Sequence, residues 1–526
     1  MKEVSQAAMI DSETKASPRR KRKVSLRRAP MKHVFIGQWL GDGQEKLKRR
    51  TNTEVSAFLM EQALRDLGGR PLTGPDPVTD ERLARQFAYE TFHAMQQGDL
   101  SRGVNWYKDA IARSIELAGL IYPELVDDKA AKGLGHANIR SAQEAKTVLC
   151  CALAITSQNN TVHENCAYAL EQYGAFRTNG AFFAKTYGAK GASVANNLVR
   201  FNELLEVHEG DLSSLRDFLE APYTMSELRT AAAKFGINIT ARELADETVY
   251  GSIVFGPKIG NAFLSNLLGN LSPLTLDLWM TRTWGRLTGR LVKGTVSDDQ
   301  KDRLRDTLIS EGFLAEMAEA GLHADPSTIH ELADEDLVDL CGDLINLWER
   351  FRKSLVAKGY DDNKQLSEFK ANLGWPGAAQ SISKSLGASV DAPATASERR
   401  WIRQVMGRAV EILAGNGVII EPATMQAVLW YAEKAAWDHL SGRKVGSLNV
   451  SFDEAMARLA TRNGIDHDAI ARVFRGSEHD GSSGPGLREE PRGDDAGAAQ
   501  GLPEGAEVDL GDAIEEAEPE VRMMLA

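Results

Sequence analysis

Residues 250–289 read YGSIVFGPKIGNAFLSNLLGNLSPLTLDLWMTRTWGRLTG, and this stretch decides the fold. A helix over roughly 241–250 is expected to meet a short turn of apolar residues and glycine. Phe255-Gly256-Pro257-Lys258 then opens a second helix, IGNAFLSNLLG. After Asn270 and Pro273 comes LTLDLWMTRTWGRL, with Asp277 at the entrance of a third helix. A tight turn ahead of a helix directs unpaired backbone N–H groups outward, where they can bind a phosphate oxygen without reading a base. Each residue has a plain reading: Asp277 is an N-cap, Lys258 an exposed hairpin lysine touching a phosphate, and Arg282 one half of a structural ion pair.

Outward from this stretch, residues from about Asp80 to Arg475 carry helical periodicity almost throughout. DERLARQFAYETFHAMQQ, SAQEAKTVLCCALAIT and SVANNLVRFNELLEV all space apolar residues by three and four. Alternating strand patterns are scarce, and there is neither an internal repeat nor a glycine-rich phosphate loop. The fold class is therefore mostly α. The Gly/Ala/Ser/Pro-rich stretch 373–396 reads as a linker or long loop. It leads to a second helical block that includes EPATMQAVLWYAEKAAWDHL, where Pro422 after Glu421 is a good helix entry. Trp430, Tyr431 and Trp437 read most simply as packing residues. The expected organisation is a basic, largely disordered arm (1–80), a first helical domain (81–330), a further helical domain (331–475) and an acidic disordered tail (476–526).

Of 526 residues, 43% are hydrophobic and 26% charged, as in an ordinary soluble globular protein with room for two or three domains. No apolar run approaches the roughly 18–20 residues that span a bilayer, and the N-terminus lacks the apolar core of a secretory signal. The cysteines Cys150, Cys151, Cys166 and Cys341 show no CxxC spacing, which disfavours a zinc ribbon, an iron–sulfur loop and a disulfide framework. A cytoplasmic protein with reduced thiols is expected. The net charge of −12 hides an asymmetry: PRRKRKVSLRRAPMK at 18–32 and KLKRR at 46–50 are basic, and the tail is acidic. A basic arm of this density is an electrostatic handle for nucleic acid, a solubilising segment or a targeting signal.

A second stretch, ITSQNNTVHENCAYALEQYGAF at 155–176, puts Ser157, Gln158, Asn159 and Asn160 between two helices built to pack. These are ordinary turn and capping residues. Gln and Asn also carry a donor and an acceptor each, which suits them to probing a base pair.

Taken in order, the SQNN turn, Gly256-Pro257-Lys258, and Leu276-Asp277 with Arg282 resemble the helix-hairpin-helix DNA glycosylase superfamily, more narrowly its 8-oxoguanine DNA glycosylase and endonuclease III branches. The resemblance covers about residues 140–290, and the 19-residue separation of Lys258 and Asp277 suits the 8-oxoguanine branch. It implies a base-flipping enzyme on duplex DNA with a modified base, most simply an N-glycosylase. Lys258 and Asp277 would be catalytic, and Gln158, Asn159 and Asn160 would fill the gap that a flipped base leaves. Gly256 and Arg282 would contact DNA. Flipping costs a few kcal/mol, which gap-filling side chains offset in part. A desolvated lysine can lose its proton and attack C1′ of the sugar, and the carboxylate can stabilise the oxocarbenium-like sugar.

Three features depart from the family's pattern. Val254 stands where the hairpin usually has its first glycine. Trp279 replaces a histidine two residues after the aspartate, which makes it a candidate stacking face for the base. The helical block after about residue 330 matches nothing in compact repair glycosylases, and implies another substrate or a second task. Phage-defence glycosylases that remove hypermodified bases are one fitting group. Phage amino acid:DNA transferases are the other; they attach a free amino acid to activated 5-hydroxymethyluracil and leave the glycosidic bond intact. A non-catalytic DNA-binding module is a third reading. No metal or nucleotide cofactor is indicated, because no ligand cluster is present.

Overall fold

The fold is built around a helix that is apolar on every side. The computed structural model describes residues 26–40, 51–97, 103–135, 138–158, 160–293, 298–308, 334–359, 363–385, 388–442 and 450–479, all within one compact unit spanning 1–480. It is mostly α. In chain order come α1 (Asn52–Leu67), α2 (Pro77–Met95), α3 (Ile111–Ile121), α4 (Asp128–Gly133), α5 (Ala142–Thr156), α6 (Val162–Asn179), α7 (Gly191–Val207), α8 (Leu212–Glu220), α9 (Met225–Ala233), α10 (Leu264–Leu267) and α11 (Leu278–Thr288). Then follow α12 (Asp298–Leu308), α13 (Asp334–Ala357), α14 (Asn363–Leu373), α15 (Trp375–Ser385), α16 (Ala396–Gly415), α17 (Pro422–Ser441), α18 (Phe452–Arg462) and α19 (His467–His479). The apolar helix is α5. Ser141 caps its start by accepting from Glu144 N–H, and every residue from Thr147 to Thr156 is buried. A helix buried all round must be wrapped by others. Here α3, α6, α7, α8 and the Gly256 hairpin do so, with Phe452, Ala455 and Met456 of α18 in the same core.

The cores follow a different line from the boundary drawn at residue 330. Trp401, Ile402 and Val405 of α16 share a core with Leu83 and Phe87 of α2 and Trp284 of α11. The faces of α17 that carry Val428, Tyr431 and Trp437 pack with Ile36, Val55 and Leu59. A small separate core joins Leu304 and Leu308 of α12 to Leu344, Trp348, Trp375 and Ile382.

Three sequence expectations are corrected. The arm expected to be disordered through residue 80 is too long, since Met31, Val34, Ile36, Val55 and Leu59 are fully buried and α1 and the start of α2 lie within it. The dense basic runs at 19–23 and 46–50, and the tail from 480, lie outside the described residues. The stretch 373–396 contains α15, whose Trp375, Ala379 and Ile382 recur at helical spacing within a Gly- and Ser-rich composition. The helix expected over 241–250 is instead an irregular segment ending in a strand. Thr248-Val249-Tyr250 is β-branched and aromatic, and pairs antiparallel with Pro222–Thr224. The irregular segment is held to α16 by Arg399 Nε on Glu243 Oε1 (2.6 Å) and Arg403 Nη1 on Glu247 Oε1 (2.9 Å).

The hairpin is as close-packed as its glycines imply. Gly256 has φ +104° and ψ 164°, a region that is essentially glycine-only. A Cβ on Gly260 would fall 1.6 Å from Ser252 O, so the helical turn Ile259–Phe263 touches the 251–255 turn backbone to backbone. Gly260→Ala is expected to cost about 3 kcal/mol, the upper end of the range for overpacking. A melt of the variant within a degree of the parent would show that the two turns are not so closely apposed.

Candidate active site

Lys258 sits at the start of the hairpin's second helix, and its Nζ donates to Ser157 O at the C-terminal end of α5 (3.3 Å). One bond thus joins the two motifs, 101 residues apart in sequence. Across a cavity of about 120 Å³ lies Asp277, together with Asn160, Asn165, Thr275 and Gln426. On a liquid-water reckoning that volume holds about four waters. The remaining walls are largely aromatic: Trp106, Tyr107, Phe263, Trp430, Tyr431 and Phe452. Trp106 and Trp430 stack with ring centres 6.2 Å apart, and Phe452 closes against Trp106 at 5.2 Å.

Asp277 carries both of its sequence readings at once. Oδ1 caps α11 by accepting from Met280 N–H (2.7 Å), and Oδ2 accepts from Gln426 Nε2 (3.1 Å). Both Lys258 and Asp277 are partly open to the cavity while protein surrounds them on the other sides. Burial lowers the Lys258 value below that of a free lysine, and the Asp277 charge opposes this. Burial raises the Asp277 carboxyl, against the pull of the Met280 N–H and the Lys258 charge. Each charged form is thus disfavoured by desolvation and favoured by its partner.

The polar turn is less free than a row of probes. Asn160 Nδ2 donates to Thr156 O (2.8 Å), and Gly188 packs so closely that a Cβ there would lie 2.1 Å from Asn160 Oδ1. Gln158 donates to Ile155 O (3.2 Å) and accepts from Ser193 Oγ (2.8 Å). Asn159 lies outside the described residues. Asn160 faces the cavity, whereas Gln158 lines a neighbouring groove of about 520 Å³ with Asn197, Arg200, Gly256, Pro257 and Lys258. Lys258 belongs to both walls.

Two expected site residues lie elsewhere. The Arg282 guanidinium is buried between Trp279 and Trp437, 4.7 Å and 4.2 Å from their ring centres, with Asp391 at 3.7 Å. Trp279 packs edge-on to Trp437 and does not line the cavity. A residue two positions into a helix points about 200° away from its N-cap, which accounts for the divergence of Trp279 from Asp277. The aromatic wall and Gln426 escaped the sequence reading because they come from distant segments. One signal was available: Gln426 and Trp430 are four apart on α17, so they share a face.

Among the described residues no group of three or more His, Cys, Asp or Glu side chains gathers into a possible metal site, and no helix is long and apolar enough to cross a membrane. Compared with known proteins, the chain matches no family model, no curated protein and no solved structure.

Proposed function

We propose that this protein binds duplex DNA, turns a modified base out of the stack and breaks its N-glycosidic bond. The observation that carries the reading is the pairing of Lys258 and Asp277 in one aromatic-walled cavity, where burial favours the neutral amine. Neutral Lys258 Nζ attacks C1′, and the C1′–N bond breaks with its electron pair leaving on the base. The amine gives up two protons in all, one gained by the departing base and one by O4′ as the C1′–O4′ bond opens, which leaves a Schiff base. Asp277 stabilises the positive charge that develops on the sugar. The aromatic faces suit a flat ring, and Ser157 and Asn160, which line the cavity, would stand where a flipped base leaves its gap. The groove along Gly256, Pro257 and Arg200 would carry the strand's backbone.

A second reading rests on the same charges. A cation and an anion at one cavity complement the carboxylate and ammonium of a free amino acid, as a transferase acting on activated 5-hydroxymethyluracil requires. Intact mass spectrometry of duplexes carrying 8-oxoguanine, uracil, 5-hydroxymethyluracil and its phosphorylated forms, with and without amino acids, separates the two. Loss of one base mass supports the glycosylase. Gain of an amino-acid mass with the base retained supports the transferase. Binding without any mass change leaves a DNA-binding module.

The basic arm gives an independent prediction. Its deletion must stop at residue 25, because a cut through residue 50 would strip Met31, Val34, Ile36 and Trp39 from the cores. Removing residues 1–25 is expected to weaken DNA binding and flatten its salt dependence, since the slope falls by about 0.9 for every phosphate the arm no longer neutralises. An unchanged slope would show that this arm does not reach the phosphates.

A further inference from the structure

We propose that Gln426, on α17 and outside the 140–290 region of the family resemblance, is a positioning residue for Asp277. Its amide spans the site. Nε2 donates to Asp277 Oδ2 (3.1 Å), and Oε1 accepts from the Tyr107 hydroxyl (3.3 Å). Tyr107 and Gln426 are 5% and 3% exposed, so neither bond competes freely with solvent. An ionised carboxylate only accepts, so the amide turns Nε2 to Asp277 and leaves Oε1 to accept from the Tyr107 hydroxyl, which can donate or accept. Asp277 Oδ1 is already committed to the helix cap through Met280 N–H. The carboxylate is therefore held at both oxygens, from α11 and from α17, in the wall of the cavity. Gln426 does not itself need to touch the reacting atoms. The C-terminal helices thereby complete the site that the hairpin begins.

The electrostatic surroundings make this testable. The titratable groups lining the cavity with Asp277 are Lys258, Tyr107 and Tyr431. A donor on Oδ2 stabilises the ionised carboxylate, so its removal should raise the Asp277 titration midpoint. Gln426→Glu is the sharpest change. It keeps the shape and an acceptor for Tyr107, and it sets a second carboxyl against Asp277 in place of the donor. The full chain would be labelled with ¹³C at the aspartate carboxyls, with the Asp277 signal assigned by Asp277→Asn. The midpoint is expected to rise by at least about one pH unit in Gln426→Glu. Gln426→Leu, which removes the donor without adding charge, should move it the same way and less, and it serves if the first variant does not fold. A midpoint that stays put in a folded variant overturns the proposal.

The catalytic arm of the test rests on the glycosylase reading. There Gln426→Glu should lower base release at pH 7 by about tenfold or more and move the acidic limb of the pH–rate profile upward with the titration. A shifted midpoint with no base release by the parent on any duplex would keep the positioning role and reject the glycosylase. Base release by the parent with an unmoved midpoint in the variant would do the reverse.

Discussion

Lys258→Ala is expected to lower single-turnover base release by about 10³-fold or more while leaving DNA affinity within a few fold. The magnitude follows from losing a covalent nucleophile rather than a binding contact. Borohydride should trap the parent on DNA through its Schiff base and should fail to trap the variant. The fold is not expected to suffer, since Lys258 makes one 3.3 Å bond to a carbonyl and its burial works against its own charge. Full base release by Lys258→Ala would show that water, not this amine, attacks the sugar.

The pH profile provides an internal check. Attack requires neutral Lys258, whose value is held below the ordinary 10.5 by burial, so the rate should rise with pH and level off below that point. Ionised Asp277 is also required, and burial holds its carboxyl above the ordinary 3.8, so an acidic limb should rise there too. Asp277→Asn preserves the cap on Met280, because Asn caps about as well as Asp. It also removes the negative charge that favours protonated Lys258. The alkaline inflection should therefore move downward in Asp277→Asn even as the rate falls. An inflection moving upward would mean that the two groups do not sense each other.

What the sequence revealed of this site was what local chemistry encodes. Asp277 ahead of an amphipathic run reads as a cap, and it is one. Gly256 before Pro257 reads as a tight turn, and its backbone there takes a conformation that glycine alone adopts without strain. Pro422 opens α17 as its position after Glu421 implied. None of these signals depends on a distant partner. The aromatic wall does: Tyr107 meets Gln426 across 319 residues, and Gln426 meets Asp277 across 149. Periodicity told only that Trp430 and Tyr431 pack, which is true and leaves out that they pack around a space. Arg282 shows the converse. The family resemblance implied a DNA contact there beside the plain reading of an ion pair, yet Trp279 and Trp437 enclose the guanidinium inside the fold, where burial is offset by two ring faces. The strand at 248–250 was hidden because three residues give no alternation to read, and only pairing with Pro222–Thr224 defines it.

The largest effect on stability is expected at Arg286, which is fully buried at the crossing of α2, α11 and α17. Its guanidinium holds Glu90 through Nη2 (2.7 Å) and Nη1 (3.0 Å), and Glu433 through Nε (2.9 Å) and Nη2 (2.8 Å). Burial works against the Arg286 charge, and Glu433 and Glu90 outweigh it. Arg286→Met keeps the volume and leaves two buried carboxylates facing each other, so about 3–5 kcal/mol should be lost. With the guanidinium gone, burial and mutual repulsion favour uptake of a proton by one of the two carboxylates. The folded variant then binds more protons than the unfolded chain, so its deficit should shrink on acidification and grow as pH rises. Denaturant titrations of parent and variant at pH 5 and pH 8 would measure this, and an equal deficit at both would show that Glu90 and Glu433 find other partners. Replacing all three charges by apolar residues should recover only part of the loss. Glu90 also accepts from Gln86 Nε2 (2.8 Å) and Ile36 N–H (3.3 Å), and Glu433 from Trp437 Nε1 (3.0 Å). Those donors would be left buried without acceptors, at about 1–3 kcal/mol each. The triad is therefore a polar hub that fixes α17 against α11, and through α17 it holds Gln426 over Asp277.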